Sequence, residues 1–210
     1  MKMIISTLLF MQFVKGIKRM KYKLQFLTSE YLDTILSWRN QDRIRKNMYN
    51  EKIITMEEHQ QWIQHILQSK NDVYLLFFMD DIPTGLVYFN RINYKHEHCY
   101  WGFYLGRDDA AKGSGTIMAT LAFDYAYKKL KMNKIYGEIL AYNLASVKFH
   151  EKLGFKQEGL FKGHIKKDDK FIDVYTYGLL NKDWYEFQRP FILNDLVRKG
   201  IDVCEDSCSC

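Results

Sequence analysis

The sequence predicts a mixed α/β (α+β) fold in one domain, a mixed sheet with helices on both of its faces. Segments typical of strands alternate with segments of helical period in the order βαα-βββ-α-β-α-ββ. The 210 residues, 47% of them apolar, can fill one core and are too few for two ordinary domains. Only two prolines are present and no Gly/Ser-rich linker appears, so we expect one continuously folded unit.

One strand and two helices are predicted ahead of the main sheet. Residues 21–28 alternate between polar and apolar and predict a strand, and residues 30–46 then show helical period. Thr55 and Glu58 form a capping-box pattern at the start of the second helix. The residues expected to face inward are Leu32, Ile35, Leu36 and Trp38 in the first helix and Trp62, Ile63, Ile66 and Leu67 in the second.

A hairpin and a third strand come next. Residues 72–79 and 84–92 flank the turn "DDIPTG", in which Pro83 and Gly85 mark the change of direction, and "CYWGFYLG" predicts the third strand. A Gly-rich loop, "RDDAAKGSG", leads into an amphipathic helix with an apolar stripe. Its members are Ile117, Met118, Leu121, Ala122 and Tyr125.

The last third of the domain repeats the pattern of strand and helix. "NKIYGEIL" predicts a strand and "NLASVKFHEKLGF" a short helix, which Gly154 ends in the manner of a left-handed C-terminal residue. Two strands, "FKQEGLF" and "FIDVYTYGLL", follow around the polar turn "KKDDK".

The two chain ends are predicted to be appendages to a domain of residues 21–185. The apolar run near residue 1 is shorter than the roughly 20 residues that span a bilayer and lacks a signal-peptide cleavage site. We expect Met20 to be the functional start, with a membrane-surface helix as the alternative, and no membrane span.

Residues 186–210 hold a helix, interrupted at Pro190, that either seals a sheet edge or meets a second subunit, so monomer and homodimer both stay open. The apolar residues of this helical segment are Trp184, Phe187, Phe191, Ile192 and Leu196.

Charge and cysteine usage narrow the class of protein. The formal charge is +6, but the basic residues are scattered without a long cationic block, so we expect no nucleic acid. A binding site for a small polyanion needs no such block. Cys204, Cys208 and Cys210 match no paired zinc spacing and are expected to be free thiols of a cytoplasmic protein, with metal binding or tail oxidation as the alternatives. His96, His98 and Cys99 could ligate a metal, but His98 and Cys99 fall on opposite faces of a strand, so no metal is expected.

The loop "KGSG" is the first motif that suggests chemistry. Glycines allow close approach of the backbone, and the first N–H groups of the following helix favour a phosphate. The candidate residues are Lys112, Gly113, Ser114, Gly115 and Thr116. A purely structural strand-to-helix turn is the alternative.

A second motif lies in the short helix and a third in the strand before it. Asn143, Ser146 and His150 share one stripe of that helix, although an N-cap, an indifferent serine and a surface histidine would explain them equally. Glu138 lies in a strand that we expect to be covered on both faces, where a carboxylate is unfavourable unless paired and can act as a general base. A salt-bridged edge residue is the alternative for Glu138.

These motifs together resemble the GNAT family of acetyl-CoA-dependent N-acetyltransferases. "AAKGSG" is similar to the family's pyrophosphate loop, with Ala110 where the family usually has Gln or Arg, and "NLASVKFHEKLGF" is similar to its later N-x-x-S…YEK-x-GF segment. The resemblance implies a single domain with a mixed, mostly antiparallel sheet, and acetyl-CoA as co-substrate. It also implies that main-chain N–H groups near Tyr104 and Leu105 bind the thioester carbonyl and that Asn143 and Ser146 hold the coenzyme.

The resemblance extends, over about residues 22–185, to the branch that acetylates the 4-amino group of UDP-linked amino-dideoxy sugars. "SWRN", "EEHQQWI", "FNRINYKHEHCYWGFY" and "KGHIKKDDKFIDVYTY" carry it. It implies that the following residues line a nucleotide-sugar pocket: Arg39, Met48, Tyr49, His59, Asn90, Arg91 and Tyr104. The guanidinium groups suit a diphosphate, while plain surface cations and a packing histidine are the alternatives.

The predicted function is therefore acetyl transfer to the amine of a UDP-amino sugar. Glu138 would act as the base, and His150, which stands where the family commonly has Tyr, would protonate the departing thiolate from an imidazole with a pKa near 6.5. Acetylation of a polyamine or of a protein N terminus is the alternative reaction. A catalytically silent acetyl-CoA-binding module is the alternative outside the enzymes.

Overall fold

The structure, a computed structural model, describes residues 20–201. The predicted N-terminal extension, apart from Met20, and the three tail cysteines lie outside the described residues. A single seven-stranded sheet has the order β1-β2-β3-β4-β5-β7-β6. Its strands are β1 Tyr22–Phe26, β2 Val73–Met79, β3 Ile82–Asn93, β4 His98–Leu105, β5 Lys134–Leu140, β6 Lys156–Lys167 and β7 Lys170–Leu180.

All neighbouring strands are antiparallel except β4 and β5, which are parallel. The prediction of a mixed, mostly antiparallel sheet is confirmed. The position of β7 between β5 and β6 was not predicted. It follows from the long β6–β7 hairpin, whose second strand pairs back onto β5.

Helices cover both faces of the sheet, as predicted. Their bounds are α1 Leu32–Arg39, α2 Asp42–Arg45, α3 Met56–Gln68, α4 Ser114–Lys128, α5 Leu144–Lys152 and α6 Arg189–Arg198. One core holds Phe77, Trp101, Phe123 and Trp184 and packs α4, α5 and the C-terminal helix on the sheet. The other core holds Ile35, Trp38, Ile63 and Tyr104 and packs α1 to α3 on the opposite face.

The capping box at the start of α3 is confirmed. The Thr55 hydroxyl accepts from the N–H of Glu58, and the Glu58 carboxylate accepts from the N–H of Thr55. The inward position of Leu67 is wrong, since its side chain is 55% exposed. The buried stripe consists of His59, Ile63 and Ile66, and Leu67 lies about 100° further round the helix than Ile66.

The predicted hairpin is present, but its turn is tighter than expected. Asp80 and Asp81 form it, with φ values of 47° and 65°, as in the two-residue turns that follow the strand twist. Asp tolerates this left-handed conformation because its side chain can hydrogen-bond locally. Pro83 lies inside β3, where the register with β2 shifts between Phe77 and Phe78.

The C-terminal segment is helical from Asn181 to Arg198, with a π-helical turn at Trp184–Gln188. The interruption expected at Pro190 takes the form of this π-helical turn, which ends just before α6, and Pro190 lies in the first turn of α6. Trp184, Ile192 and Leu196 are buried in the first core. Phe187 and Phe191 are exposed on the outer side.

Candidate active site

The parallel strands β4 and β5 are paired at one end and diverge at the other. Their register ends at Tyr100 and Tyr136, although β4 continues to Leu105 and β5 to Leu140. The later residues of both strands therefore have no strand partner on that side. A cleft of about 610 Å³ occupies the gap. It is the candidate active site.

Backbone groups of β4 face this cleft. The N–H of Gly106 donates to the carbonyl of Thr84 at 2.9 Å, on the β3 side. Because alternate strand residues direct their backbone groups to opposite sides, those of Leu105 face the cleft and those of Tyr104 face β3. Arg43 Nη1 donates to the Leu105 carbonyl at 2.9 Å. Of the two predicted amides, that of Leu105 lies toward the cleft, and Tyr104 lines it with its side chain.

The predicted phosphate loop forms the N-terminus of α4. Gly113 is the N-cap residue with φ 101°, which favours glycine, and Gly115 lines the cleft. The hydroxyl of Ser114 turns inward and donates to the carbonyl of Ala111 at 2.6 Å, and Thr116 is also buried. These residues can offer main-chain N–H groups to an anion, reinforced by the helix dipole. Lys112 is exposed beside them.

Glu138 lies at the cleft with its side chain 16% exposed. Its Oε2 accepts from the Tyr49 hydroxyl at 2.9 Å, and its Oε1 lies 3.5 Å from Arg91 Nη1. Burial, followed by the hydrogen bond to Glu138, raises the pKa of Tyr49 well above its usual value. The phenol therefore stays protonated and donates to Oε2 of Glu138.

Arg91 reaches Glu138 through an irregularity of β3. Its φ is 50°, and the register between β3 and β4 shifts between Asn90 and Asn93. Bulges of this kind redirect side chains beside functional sites. Here the guanidinium lies over the ring of Tyr100 at 4.9 Å, with its outer face open to the cleft.

His150 is buried rather than exposed, with 4% of its surface accessible. Burial lowers its pKa to about 4, although the Ser146 carbonyl, 2.8 Å from Nδ1, acts in the opposite direction. The predicted pKa near 6.5 is therefore wrong, because the aromatic rings of Trp101 and Phe155 pack within 5.2 Å and 5.0 Å of the imidazole. At neutral pH the ring is uncharged, its Nδ1–H donates to Ser146, and its Nε2 is an acceptor.

Trp101 lines the cleft beside His150, and Gly137 lies next to both of these side chains. Within residues 20–201 the indole N–H of Trp101 is buried and has no hydrogen-bond partner. A Cβ on Gly137 would lie 2.8 Å from His150 Nε2 and 3.4 Å from Trp101 Nε1. An acceptor and a donor thus flank one point of β5. Neither Trp101 nor Gly137 was predicted, since their roles depend on a contact between strands distant in sequence.

Asn143 and Ser146 line the cleft, as does His150 on the same helix. Asn143 is the N-cap of α5, and its side chain accepts from the N–H of Ser146 at 3.1 Å. Asn143 therefore caps the helix and also lines the cleft, so the structural and the functional interpretation of this motif are compatible.

A second cavity of about 400 Å³ adjoins the first and shares Met48, Tyr49, Tyr88 and Tyr104 with it. Arg39 enters this cavity from α1. Its Nη2 donates to the carbonyl of Asn50, while its Nη1 is buried with no partner in the described part of the chain. Burial lowers the pKa of this guanidinium. A buried cation with a free donor is a ready site for an anionic or carbonyl oxygen.

The seven residues predicted for a nucleotide-sugar pocket divide between the two cavities. Asn90 and Arg91 line the first, and Arg39 and His59 line the second. His59 also has a structural role, because its Nε2 lies 3.1 Å from the Leu32 carbonyl and its ring stacks on Trp62. Burial lowers the pKa of His59, so it is a neutral wall residue. Met48, Tyr49 and Tyr104 lie where the two cavities meet.

The described residues contain no group of three or more potential ligands that could hold a metal. Cys99 is fully buried in the first core, and His98 lies on the other face of β4. Between residues 20 and 201 no helix has the length and hydrophobicity needed to span a bilayer.

Three features define the class of acyltransferases that use an acyl-coenzyme A. They are the cleft between the parallel strands β4 and β5, the helix N-terminus beside it and the paired carboxylate of Glu138 in β5. Residues 24–176 match the family described as acetyltransferase (GNAT) domain. The chain therefore belongs to the GNAT family, whose co-substrate is acetyl-CoA.

The known relatives of the chain are N-acetyltransferases of more than one kind. It is 30% identical over 104 residues to the uncharacterized N-acetyltransferase p20 of Bacillus licheniformis, and 31% identical over 100 residues to a spermidine N(1)-acetyltransferase of Vibrio cholerae. These matches cover 50% and 48% of this chain and 58% of each relative. The crystal structure of Vibrio cholerae spermidine N-acetyltransferase with CoA and spermine superposes with a TM-score of 0.74 at 20% identity, over 79% of this chain and 99% of that one.

Proposed function

We propose that the protein transfers the acetyl group of acetyl-CoA to the 4-amino group of a UDP-linked amino-dideoxy sugar. The observation that carries the proposal is the guanidinium of Arg39, which lines the second cavity and whose Nη1 is buried with no partner in the described chain. The sequence resembles the branch that contains PseH, the acetyltransferase of pseudaminic acid synthesis. A diphosphate or a uracil carbonyl supplies the oxygen that this donor needs.

The charges around the cavities support an anionic acceptor. The second cavity has Arg39 and Lys52 in its wall, and its one carboxylate, Glu58, is engaged by the N-terminus of α3. The first cavity has Arg43 and Arg91 beside Glu138. A polyamine, which carries several positive charges, would meet more cations than carboxylates here.

Acetyl-CoA supplies an activated acyl group in the form of a thioester. Glu138 is placed to take the proton of the attacking amine, directly or through one water. Tyr49 and Arg91 hold its carboxylate in place with hydrogen bonds. The amide of Leu105 and the first turn of α4 offer N–H groups to the carbonyl oxygen and to the phosphates.

His150 is the proposed source of the proton for the departing thiolate. Its Nδ1–H is committed to the Ser146 carbonyl, so only Nε2 can serve, and Nε2 must first gain a proton. The transfer balances when the proton that Glu138 takes from the amine passes on through water to Nε2 and from there to the thiolate sulfur. The unpartnered indole N–H of Trp101 beside Nε2 can also stabilise a negative charge there.

A spermidine-type acetyltransferase is the second candidate. It is favoured by the relatives and by the structural similarity to the Vibrio cholerae enzyme. Glu138 is the carboxylate available to a polycation at the first cavity, and the second cavity would then stay unused.

A thiol-release assay with acetyl-CoA separates these candidates. The full chain is tested with a UDP-linked 4-amino-4,6-dideoxy sugar, spermidine, and a peptide with an N-terminal Ser or Ala. We expect thiol release with the nucleotide sugar and its loss in Glu138→Gln. Turnover of spermidine or the peptide alone would overturn the proposed acceptor, and no thiol with any of them, in protein that binds acetyl-CoA, would indicate a silent module.

A further inference from the structure

One lysine on the β6–β7 hairpin is tied to the segment that carries Tyr49. Lys167 is the last residue of β6, and its side chain is 9% exposed. Its ammonium donates to the carbonyl of Lys46 at 2.9 Å, to Glu51 Oε2 at 3.0 Å and to the Tyr142 hydroxyl at 2.8 Å. All three donors of the ammonium are used.

The acceptors lie at the two ends of a short loop. Residues 46–51 are the first part of the segment 46–55 that connects α2 to α3, and they contain no helix or strand. Lys167 contacts both Lys46 and Glu51, so one charged group closes the loop across its base. The Tyr142 hydroxyl adds a second hydrogen bond to the Lys46 carbonyl. These contacts join chain positions 116 and 121 residues apart.

The closed loop is the one that faces both cavities. Met48 and Tyr49 line each of them, and Tyr49 donates to Glu138 across 89 residues of sequence. The ring of Tyr49 also lies 6.5 Å from that of His164, on the same hairpin as Lys167. The hairpin therefore contacts the loop at Lys46, Tyr49 and Glu51.

We propose that Lys167 is a positioning residue of the acceptor site, which holds loop 46–51 so that Tyr49 meets Glu138. Lys167 itself does not line either cavity. Its effect is thus expected on acceptor binding and on the contact between Tyr49 and Glu138, and not on coenzyme binding, for which the proposed residues lie on β4, α4 and α5. The part of this inference that concerns the acceptor rests on the proposed function.

The test compares Lys167→Met with Lys167→Arg and with the control Lys166→Met, whose side chain is exposed on the same strand. Hydrogen exchange of amides 46–51 is measured in the free protein. We expect about tenfold faster exchange in Lys167→Met, from the loss of hydrogen bonds to a charged group, near-normal exchange in Lys167→Arg and no change in the control. Unchanged exchange in Lys167→Met would overturn the proposal whether or not an acceptor is known.

A kinetic arm uses whichever acceptor releases thiol. The KM for the acceptor should rise about tenfold in Lys167→Met, with the Kd for acetyl-CoA unchanged and substantial rescue by Lys167→Arg. An equal loss of affinity for acetyl-CoA would show a general structural role and would overturn the positioning role. Faster exchange with unchanged acceptor kinetics would also overturn it. If Lys167→Met does not fold, Glu51→Gln replaces it with the same expected directions. If the wild-type protein accepts none of the amines, the proposed function fails while the exchange measurement still decides the role of Lys167.

Discussion

The hydroxyl of Tyr49 donates to Glu138 Oε2 at 2.9 Å, and this contact joins the α2–α3 loop to the middle of β5. It connects the two cavities, since Tyr49 lines both of them and Glu138 lines the first. An acceptor bound through Arg39 in the second cavity would have to pass Tyr49 to bring its amine to the carboxylate.

Tyr49→Phe should lower kcat about tenfold with the acceptor and leave the Kd for acetyl-CoA unchanged. The phenol orients a carboxylate in a largely buried position, and a hydrogen bond to a charged group is worth about 1.5–3 kcal/mol. Steady-state kinetics and calorimetry of acetyl-CoA binding measure the two effects. Tyr94→Phe is the control, because Tyr94 is exposed and far from the cleft. Full turnover by Tyr49→Phe would show that Glu138 does not depend on this contact.

The buried imidazole of His150 should make stability depend on pH in the acid range. Its pKa is about 4 in the folded chain and 6.5 when unperturbed, so the unfolded chain binds more protons between these values. The contribution of His150 to the free energy of unfolding is therefore fully present above pH 6.5. It decreases by about 3 kcal/mol as the pH falls to 4.

Urea unfolding of the wild type and of His150→Gln across this pH range measures that contribution. Both proteins share every other titrating group, so the difference between their slopes isolates the imidazole. Parallel slopes would mean that His150 is solvated and charged, against the burial seen here.

Gly137→Ala should destabilise the protein and weaken coenzyme binding. The added Cβ would meet His150 Nε2 at 2.8 Å, and the imidazole cannot move away without losing its bond to Ser146. Overpacking of this kind costs about 1–3 kcal/mol.

Gly115→Ala is the matched control, since its Cβ would make only an ordinary contact with Phe149 at 3.6 Å and lies in a helix. We expect its free energy of unfolding to be unchanged or raised by up to about 1 kcal/mol. Thermal unfolding of both variants without coenzyme is the measurement of stability, and equal stability of the two would contradict the expected clash. Coenzyme A binding by Gly137→Ala is compared with the wild type, because Gly115 itself belongs to the candidate phosphate loop.

Arg39→Met should separate binding from stability. The guanidinium is desolvated and one of its nitrogens has no partner in the described chain, so a side chain of similar length without charge should leave unfolding within about 1 kcal/mol of wild type. The KM for a diphosphate-bearing acceptor should rise at least about tenfold. Lys129→Met, at an exposed position that lines neither cavity, controls for net charge. A large loss of stability with an unchanged KM would make Arg39 a structural residue.

Local patterns predicted most of the secondary structure because they depend on neighbours a few residues apart. The capping box at Thr55, the end of α5 at Gly154 and the amphipathic α4 all follow from such short-range rules. Helical periodicity predicted burial less reliably for residues at the edge of an apolar helix face. Leu67 and Phe191 have the right spacing for burial and are exposed, because periodicity shows which side of a helix is apolar but not how far its partner extends.

The candidate site was predicted in part. Motif resemblance supplied Glu138, His150 and the residues at the start of α4, all of which lie in or beside the cleft. The neutral state of His150 was missed, since its pKa is lowered by burial against Trp101 of β4 and Phe155, which lies beyond the end of α5. Trp101 and Gly137 were missed for the same reason.

The sequence by itself determined the order of helices and strands, their caps and the family of the chain, because these depend on local periodicity and on motifs that are continuous in sequence. Tertiary structure alone decided that β4 and β5 part after Tyr100, that Tyr49 reaches Glu138 and that His150 is uncharged. Each of these is a contact or a desolvation between segments far apart along the chain. Such effects arise only when the whole sheet assembles.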